Sequence, residues 1–138
     1  MWERWNSYSH DAGFGNAAMN SFNHYAYGSI GQWLYSSVGG ISSDIGAPGW
    51  KNVIFKAVPN SKLSFAQASH NTPYGIASSE WKIDGPKMFW KIKIPPNATG
   101  TVIFPAKSPD KVLFNGERPN SLRLDKVPSG EHTAEITL

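Results

Sequence analysis

The second half of the chain alternates between apolar and polar residues over short stretches. The clearest stretch runs from Met88 to Ile94, where Met88, Trp90, Ile92 and Ile94 alternate with Phe89, Lys91 and Lys93. A period of two is expected of a strand that buries one face. About eight such stretches, separated by Gly, Pro, Asn and Asp, follow Trp50 at intervals of about 8–14 residues. This spacing predicts an antiparallel β-sandwich.

A helical pattern precedes these strands. Its apolar positions recur every three or four residues, at Ala26, Ile30, Trp33, Leu34 and Val38. Asn20 and Ser21 are suitable N-cap residues, and Gly39–Gly40 is a typical helix end. The pattern predicts one principal helix over residues 21–38, with His24 in its first turn.

Loops connect these parts. Residues 6–19 are rich in Gly, Asn and Ser and are predicted to form a surface loop, including His10 and Asp11. Residues 42–49 have the composition of a linker. The sequence therefore predicts a mainly β protein with a short helical part at residues 1–46 and a β-sandwich at residues 47–138.

The composition of the chain argues against several classes of function. The 138 residues carry a net charge of +3 with no run of Lys or Arg, which argues against nucleic-acid binding. There is no cysteine, so disulfides and thiolate metal sites are excluded. No apolar run is long enough for a membrane span. The four histidines share no metal-ligand spacing, and no cofactor motif occurs, so we expect neither a metal nor a cofactor. The compartment is left open.

Two segments near the N-terminus carry candidate chemistry. Trp2-Glu3-Arg4-Trp5 places a carboxylate between two indoles, and the segment 21–28 contains His24 and two tyrosines. Aromatic faces with a few polar groups suit a sugar, and a carboxylate among them can act as a general base. The alternative is structural: the tryptophans belong to a core, Glu3 pairs with Arg4 or another neighbour, and His24 is a hydrogen-bonded buried histidine.

The remaining acidic and aromatic residues have simpler interpretations. Strand and turn positions predict solvated surface charges for Glu80, Asp84, Glu117, Glu131 and Glu135. Glu3 is then the only good candidate for a catalytic carboxyl group. The aromatic residues of the β half are predicted to form the core, although they could instead form a sugar-binding platform. Phe89, which shares a strand face with Lys91 and Lys93, is the best candidate for an exposed ring.

Four motifs occur in one order along the chain. They are W-E-R-W, M-N-S-F-N-H-Y-A-Y-G-S-I-G-Q-W-L-Y, A-P-G-W-K-N-V-I-F-K-A-V-P and A-S-H-N-T-P-Y-G-I-A-S-S-E-W-K. Together they resemble the C-terminal end of bacterial α-L-rhamnosidases of glycoside hydrolase family 78. The resemblance runs from Trp2 to about Pro105, and more loosely to Leu138. It implies that residues 1–46 are the remnant of an (α/α)6 catalytic barrel and that an antiparallel sandwich follows.

The resemblance also implies roles for individual residues. Glu3 is similar to the family's general base, and His24 to a histidine that binds the rhamnose ring. The parent enzyme would hydrolyse terminal α-L-rhamnosyl bonds with inversion, acting on a rhamnose-containing glycoside or polysaccharide. Its general acid would lie in a part of the barrel upstream of Met1, so we expect this chain alone to be inactive. We expect the exposed helix 21–38 to allow self-association. The alternative function is a non-catalytic carbohydrate-binding or structural accessory module.

Overall fold

The computed structural model describes residues 1–60 and 62–138. The chain divides into two compact units, Met1–Trp33 and Leu34–Leu138.

The first unit contains short elements. Strands β1 (Tyr8–Ser9) and β2 (Gly13–Phe14) pair antiparallel within the segment predicted to be a loop, and a 3₁₀ turn covers Ala17–Met19. His10 and Asp11, at the tip of this hairpin, are exposed as predicted. Two helical turns follow, α1 (Tyr25–Gly28) and α2 (Ile30–Trp33).

The second unit begins with a π-helical turn at Leu34–Val38 and contains two sheets. The first sheet has the order β10-β8-β4-β3, in which the strands are β3 (Ile41–Ser43), β4 (Asn52–Phe55), β8 (Thr99–Ile103) and β10 (Arg123–Val127). The second has the order β5-β6-β7-β11-β9, in which the strands are β5 (Phe65–Thr72), β6 (Gly75–Asp84), β7 (Lys87–Ile94), β9 (Val112–Phe114) and β11 (Gly130–Thr137).

The inner faces of the two sheets form the core of this unit. Val53, Phe55 and Val102 from the first sheet and Trp81 and Trp90 from the second are almost completely buried. The period-two pattern explains this arrangement, because alternate residues of each strand point to the same face. The Trp90 indole donates a hydrogen bond to the Ser79 hydroxyl (2.8 Å), which satisfies both buried polar groups. The predicted mainly β sandwich is confirmed.

One strand pair departs from the antiparallel prediction. Strands β4 and β8 run parallel, with Asn52 opposite Thr99 and Phe55 opposite Val102. All other strand pairs within the described residues are antiparallel. Local alternation specifies which face of a strand is buried, but it does not specify the direction of a neighbour that is distant in sequence.

The prediction of a single helix over residues 21–38 is wrong in two respects, since the helical structure starts later and is divided into short pieces. Helical structure begins at Tyr25, and His24 is the N-cap residue with an extended backbone rather than a first-turn residue. The Ser21 amide and carbonyl and the His24 amide form hydrogen bonds with the N-terminal segment. These bonds hold the backbone before Tyr25 outside the helix. The predicted helix end is confirmed, since Gly40 has a φ of +73°.

The linker interpretation of residues 42–49 is wrong for its first two residues. Ser42 and Ser43 belong to strand β3 and pair with Ile54 and Val53 of strand β4. Ile41, which precedes them, is buried in the core. Because backbone pairing is non-local, the Ser- and Gly-rich composition of this segment did not reveal it.

In the described residues, no helix is long and apolar enough to cross a membrane. No cluster of three acidic or histidine side chains within this part of the chain could hold a metal ion. His70 and His132 instead stack on Trp50 and Phe114, with ring centroids 4.1 and 5.4 Å apart.

Candidate active site in the N-terminal unit

The N-terminal segment is held against residues 21–24 by backbone hydrogen bonds. The Glu3 amide donates to the Ser21 carbonyl (2.7 Å), and the His24 amide donates to the Met1 carbonyl (2.9 Å). The structure therefore brings the two segments that carry candidate chemistry side by side, although the motifs lie about twenty residues apart in sequence.

The Glu3 side chain is half-buried and oriented by one hydrogen bond. Its Oε2 atom accepts a hydrogen bond from the Ser21 amide (3.1 Å). The ion pair with Arg4 that the structural alternative offered does not form, and Oε1 accepts no hydrogen bond within the described residues. One carboxylate oxygen thus fixes the side chain, and the other is available to a ligand.

Glu3 lines a cleft of about 660 Å³. The other lining residues are Met1, Trp2, Arg4, Trp5 and Tyr27. Trp5 is fully exposed and Trp2 is nearly half exposed, so neither behaves as the core residue of the structural alternative. A cleft of this size with aromatic walls and few polar groups is typical of a small-ligand site.

His24 lies next to Tyr27, one of the residues that line the cleft. Its ring centroid lies 4.8 Å from that of Tyr27, which itself lines the cleft. The Nδ1 atom of His24 is buried and has no hydrogen-bond partner among the described residues. A buried polar atom normally has a partner, so this geometry differs from that of a hydrogen-bonded core histidine.

A row of edge-to-face rings supports the cleft wall. Trp2 packs on Phe22 with centroids 5.0 Å apart, Phe22 packs on Phe14 at 5.7 Å, and Phe14 packs on Tyr8 at 5.2 Å. Each such contact contributes about 0.5–1.5 kcal/mol beyond area burial. The hairpin of β1 and β2 therefore holds the Trp2 side of the site in place.

Sequence reasoning included Tyr27 only as one of the two tyrosines of segment 21–28, and it did not predict the buried contact of Asn20. Tyr27 lies three residues after His24, a spacing that places the two on one side of a helical turn and could have indicated their contact. Asn20 donates a hydrogen bond from Nδ2 to the Ser7 carbonyl (2.9 Å), and its buried Oδ1 has no partner among the described residues. No local pattern predicts that contact.

The cleft and the adjacent His24 together offer one carboxylate, one guanidinium, one imidazole and several aromatic faces. The acidic residues predicted to be on the surface lie far along the chain in the second unit. Glu80, Asp84, Glu117 and Glu131 are exposed, and Glu135 is half-buried in an ion pair with Lys87. Glu3 and the exposed Asp11 are the only acidic residues of the N-terminal unit, whereas glycoside hydrolysis normally uses two carboxyl groups that flank the scissile bond.

Comparison with known proteins gives matches over the whole chain. Residues 1–38 match the bacterial alpha-L-rhamnosidase 6 hairpin glycosidase domain, and residues 40–117 match the bacterial alpha-L-rhamnosidase C-terminal domain. An alpha-L-rhamnosidase of Formosa agariphila is 40% identical over 120 residues, which are 85% of this chain and 12% of that protein. One from an Alteromonas species is 39% identical over 137 residues, 99% of this chain and 15% of that protein.

Solved structures agree with these matches. The alpha-L-rhamnosidase of Streptomyces avermitilis, determined in complex with L-rhamnose, superposes with a TM-score of 0.76 at 35% identity. The superposition covers 99% of this chain and 13% of that protein. The alfa-L-rhamnosidase of Aspergillus terreus gives a TM-score of 0.72 at 36% identity, over 99% of this chain and 14% of that protein. The chain thus spans a small fraction of the length of the proteins that it matches.

Proposed function

The chain belongs to the bacterial α-L-rhamnosidase family, and we propose that it is the C-terminal part of an inverting glycoside hydrolase that releases terminal α-L-rhamnose. The observation that carries this proposal is the position of Glu3 in an aromatic cleft, where one of its carboxylate oxygens has no hydrogen-bond partner among the described residues.

Glu3 is proposed to act as the general base. Its Oε2 atom is held by the Ser21 amide, which leaves Oε1 to accept a proton from a water molecule. That water attacks the anomeric carbon on the face opposite the leaving group, and the glycosidic C–O bond breaks. In an inverting enzyme the second carboxyl group lies about 6.5–9.5 Å from the base, so that the water fits between them.

His24 is proposed to hold a ring hydroxyl of rhamnose. The half-buried imidazole makes no hydrogen bond within the described residues, and of its two nitrogens only Nδ1 is fully buried, so a substrate hydroxyl could bind at Nε2. Tyr27, which contacts the imidazole and lines the cleft, would fix the orientation of the ring. Trp2 and Trp5 offer ring faces for the C–H surfaces of the sugar.

The general acid is proposed to come from outside this chain. No carboxyl group in the described part of the N-terminal unit is placed to protonate the leaving oxygen, because Asp11 lies at the exposed tip of a hairpin. An upstream segment of the barrel would supply it. The 138-residue chain alone should therefore have no glycosidase activity.

The experiment uses the enzyme extended upstream and its Glu3→Gln variant. Loss of the base should reduce kcat on an aryl α-L-rhamnoside by about 10²–10⁴-fold. Added azide should restore turnover, because the anion attacks the anomeric carbon directly and displaces the aryl oxygen, giving a rhamnosyl azide of inverted configuration. The matched control is Glu117→Gln, an exposed carboxylate in the second unit, which should keep full activity. Retained activity in Glu3→Gln, or an azide product of retained configuration, would reject the assigned role.

A further inference from the structure

The outward face of the five-stranded sheet carries exposed aromatic side chains. Phe65 and Phe89 are 68% and 43% exposed and lie two strands apart in one row across the sheet. Lys82, on the strand between them, pairs with both in register. Since neighbouring strands are about 4.8 Å apart, the two rings lie roughly 10 Å from each other.

The next row along the strands is polar. Gln67, Glu80, Lys91 and Thr133 face one another in register and line a shallow groove of about 310 Å³. None of these four side chains makes a side-chain hydrogen bond or ion pair within the described residues. They therefore offer both donors and acceptors to a ligand. The spacing of residues along a strand places this row about 7 Å from the aromatic row.

The face has no net charge. Four lysines at outward positions are matched by four carboxylates, and the residues are Lys82, Lys87, Lys91, Lys93, Glu80, Asp84, Glu131 and Glu135. Ion pairs already join Lys87 to Glu135 and Lys93 to Glu131. A balanced face is complementary to a neutral ligand and unsuited to a polyanion such as a nucleic acid or a polyuronate.

From these rows we propose that the outward face of the five-stranded sheet is a non-catalytic binding surface for a neutral, rhamnose-containing oligosaccharide. The Phe65 and Phe89 rings contact the C–H surfaces and C6 methyl groups of the 6-deoxy sugar. Gln67, Glu80 and Lys91 bind its hydroxyls. The choice of rhamnose among neutral sugars rests on the proposed function of the protein, whereas the choice of a neutral glycan rests on the face itself.

The test is an NMR titration of the ¹⁵N-labelled 138-residue chain with a tetrasaccharide of α-linked L-rhamnose. We expect chemical-shift changes centred on Gln67, Glu80 and Lys91. Phe65→Ala and Phe89→Ala should each weaken binding by about three- to tenfold while leaving the rest of the spectrum unchanged. The control is Ile45→Ala, which removes a 97% exposed apolar side chain outside this face and should bind normally.

Three results would overturn the proposal. The first is the absence of shift changes on the sheet, or changes confined to residues 1–33, which would report only the candidate active site. The second is unchanged affinity in both phenylalanine variants. The third is equally tight binding of trigalacturonate, which would contradict the argument from charge. Because the titration measures binding and needs no turnover, the surface and the proposed hydrolysis can fail independently.

Discussion

At the scale of single residues, Glu3 and Ser21 bind each other twice. The Glu3 amide donates to the Ser21 carbonyl, and the Ser21 amide donates to the Glu3 carboxylate. Glutamine at position 3 retains an amide oxygen that can accept the second bond. A loss of activity in Glu3→Gln would therefore report the loss of the base rather than a misplaced side chain.

His24 gives a second prediction at this scale. In the upstream-extended enzyme, His24→Ala should lower kcat/KM on an aryl rhamnoside by about 30- to 1,000-fold, equivalent to about 2–4 kcal/mol. The reason is the loss of a buried hydrogen-bonding group from the site. The thermal transition should change little, because Nδ1 makes no protein hydrogen bond within the described residues.

The control for this prediction is His10→Ala, since His10 is exposed at a hairpin tip. It should have the kinetics of the unmodified enzyme. Full activity in His24→Ala would show that the imidazole is structural.

At the scale of elements, sequence patterns predict strand β7 correctly but place the start of the helical segment wrongly. In β7, buried and exposed side chains alternate from Met88 to Ile94, because the strand lies between β6 and β11 and only one of its faces is buried. The local sequence pattern and the tertiary structure therefore agree in this strand. Residues 20–24 include side chains typical of a helix start, but long-range hydrogen bonds to the N-terminal segment keep their backbone extended. Helix propensity contributes little free energy compared with such tertiary contacts.

The four-stranded sheet has a polar network that should make its stability depend on pH. The Arg123 guanidinium, and then the Thr101 hydroxyl, lower the pKa of Asp125 below its ordinary value. The Asn52 side-chain amide, and then the Gly46 amide, lower the pKa of Asp44. The unfolded chain then binds these protons more readily than the folded one. The stabilisation is complete above the unfolded carboxyl pKa of about 3.9 and is lost as the pH falls through the lower folded values.

Urea unfolding of the chain at several pH values checks this prediction. The free energy of unfolding should decrease below about pH 4, and the decrease should be smaller in the Asp44→Asn, Asp125→Asn double variant. Asp84→Asn, at an exposed hairpin position, is the control and should follow the unmodified chain. An identical pH dependence in the double variant would show that other groups cause the acid sensitivity.

At the scale of the whole molecule, the boundary between the two parts is open to a direct test. The sequence predicts a boundary between residues 46 and 47, whereas the compact unit begins at Leu34. Residues 34–46 include Val38, whose carbonyl accepts a hydrogen bond from the Trp81 indole (2.7 Å), and the buried Ile41. Removing them leaves the Trp81 N–H unsatisfied and exposes part of the core.

We therefore expect the segment 34–138 to unfold cooperatively in urea and to be at least about 3 kcal/mol more stable than the segment 47–138. The β-type far-UV circular dichroism spectrum of the longer segment confirms that it is folded. Equal stability of the two segments would support the boundary at residues 46 and 47 instead.

The sequence predicted the sandwich, the buried tryptophans Trp81 and Trp90 and the exposed ring of Phe89 because each follows from alternation within one strand. It did not predict the parallel pairing of β4 with β8 or the strand Ile41–Ser43, which depend on neighbours distant in the chain. In the site, motif spacing identified Glu3 and His24, but their contacts with Ser21 and Tyr27 arise only on folding. Self-association through the exposed apolar residues of the helical segment stays a prediction.

We propose that Glu3 is half of a catalytic pair whose other carboxyl group lies outside this chain. The most direct measurement is rhamnose release from an aryl α-L-rhamnoside, run in parallel on the 138-residue chain and on the chain extended upstream. We expect turnover by the extended enzyme and none by the 138 residues, because general acid catalysis contributes about 10²–10⁴-fold and the proposed upstream part of the barrel would also position the substrate. Clear turnover by the 138-residue chain would contradict it, since a second catalytic carboxyl group would then lie among residues interpreted as surface charges, such as Glu80, Asp84 or Glu117.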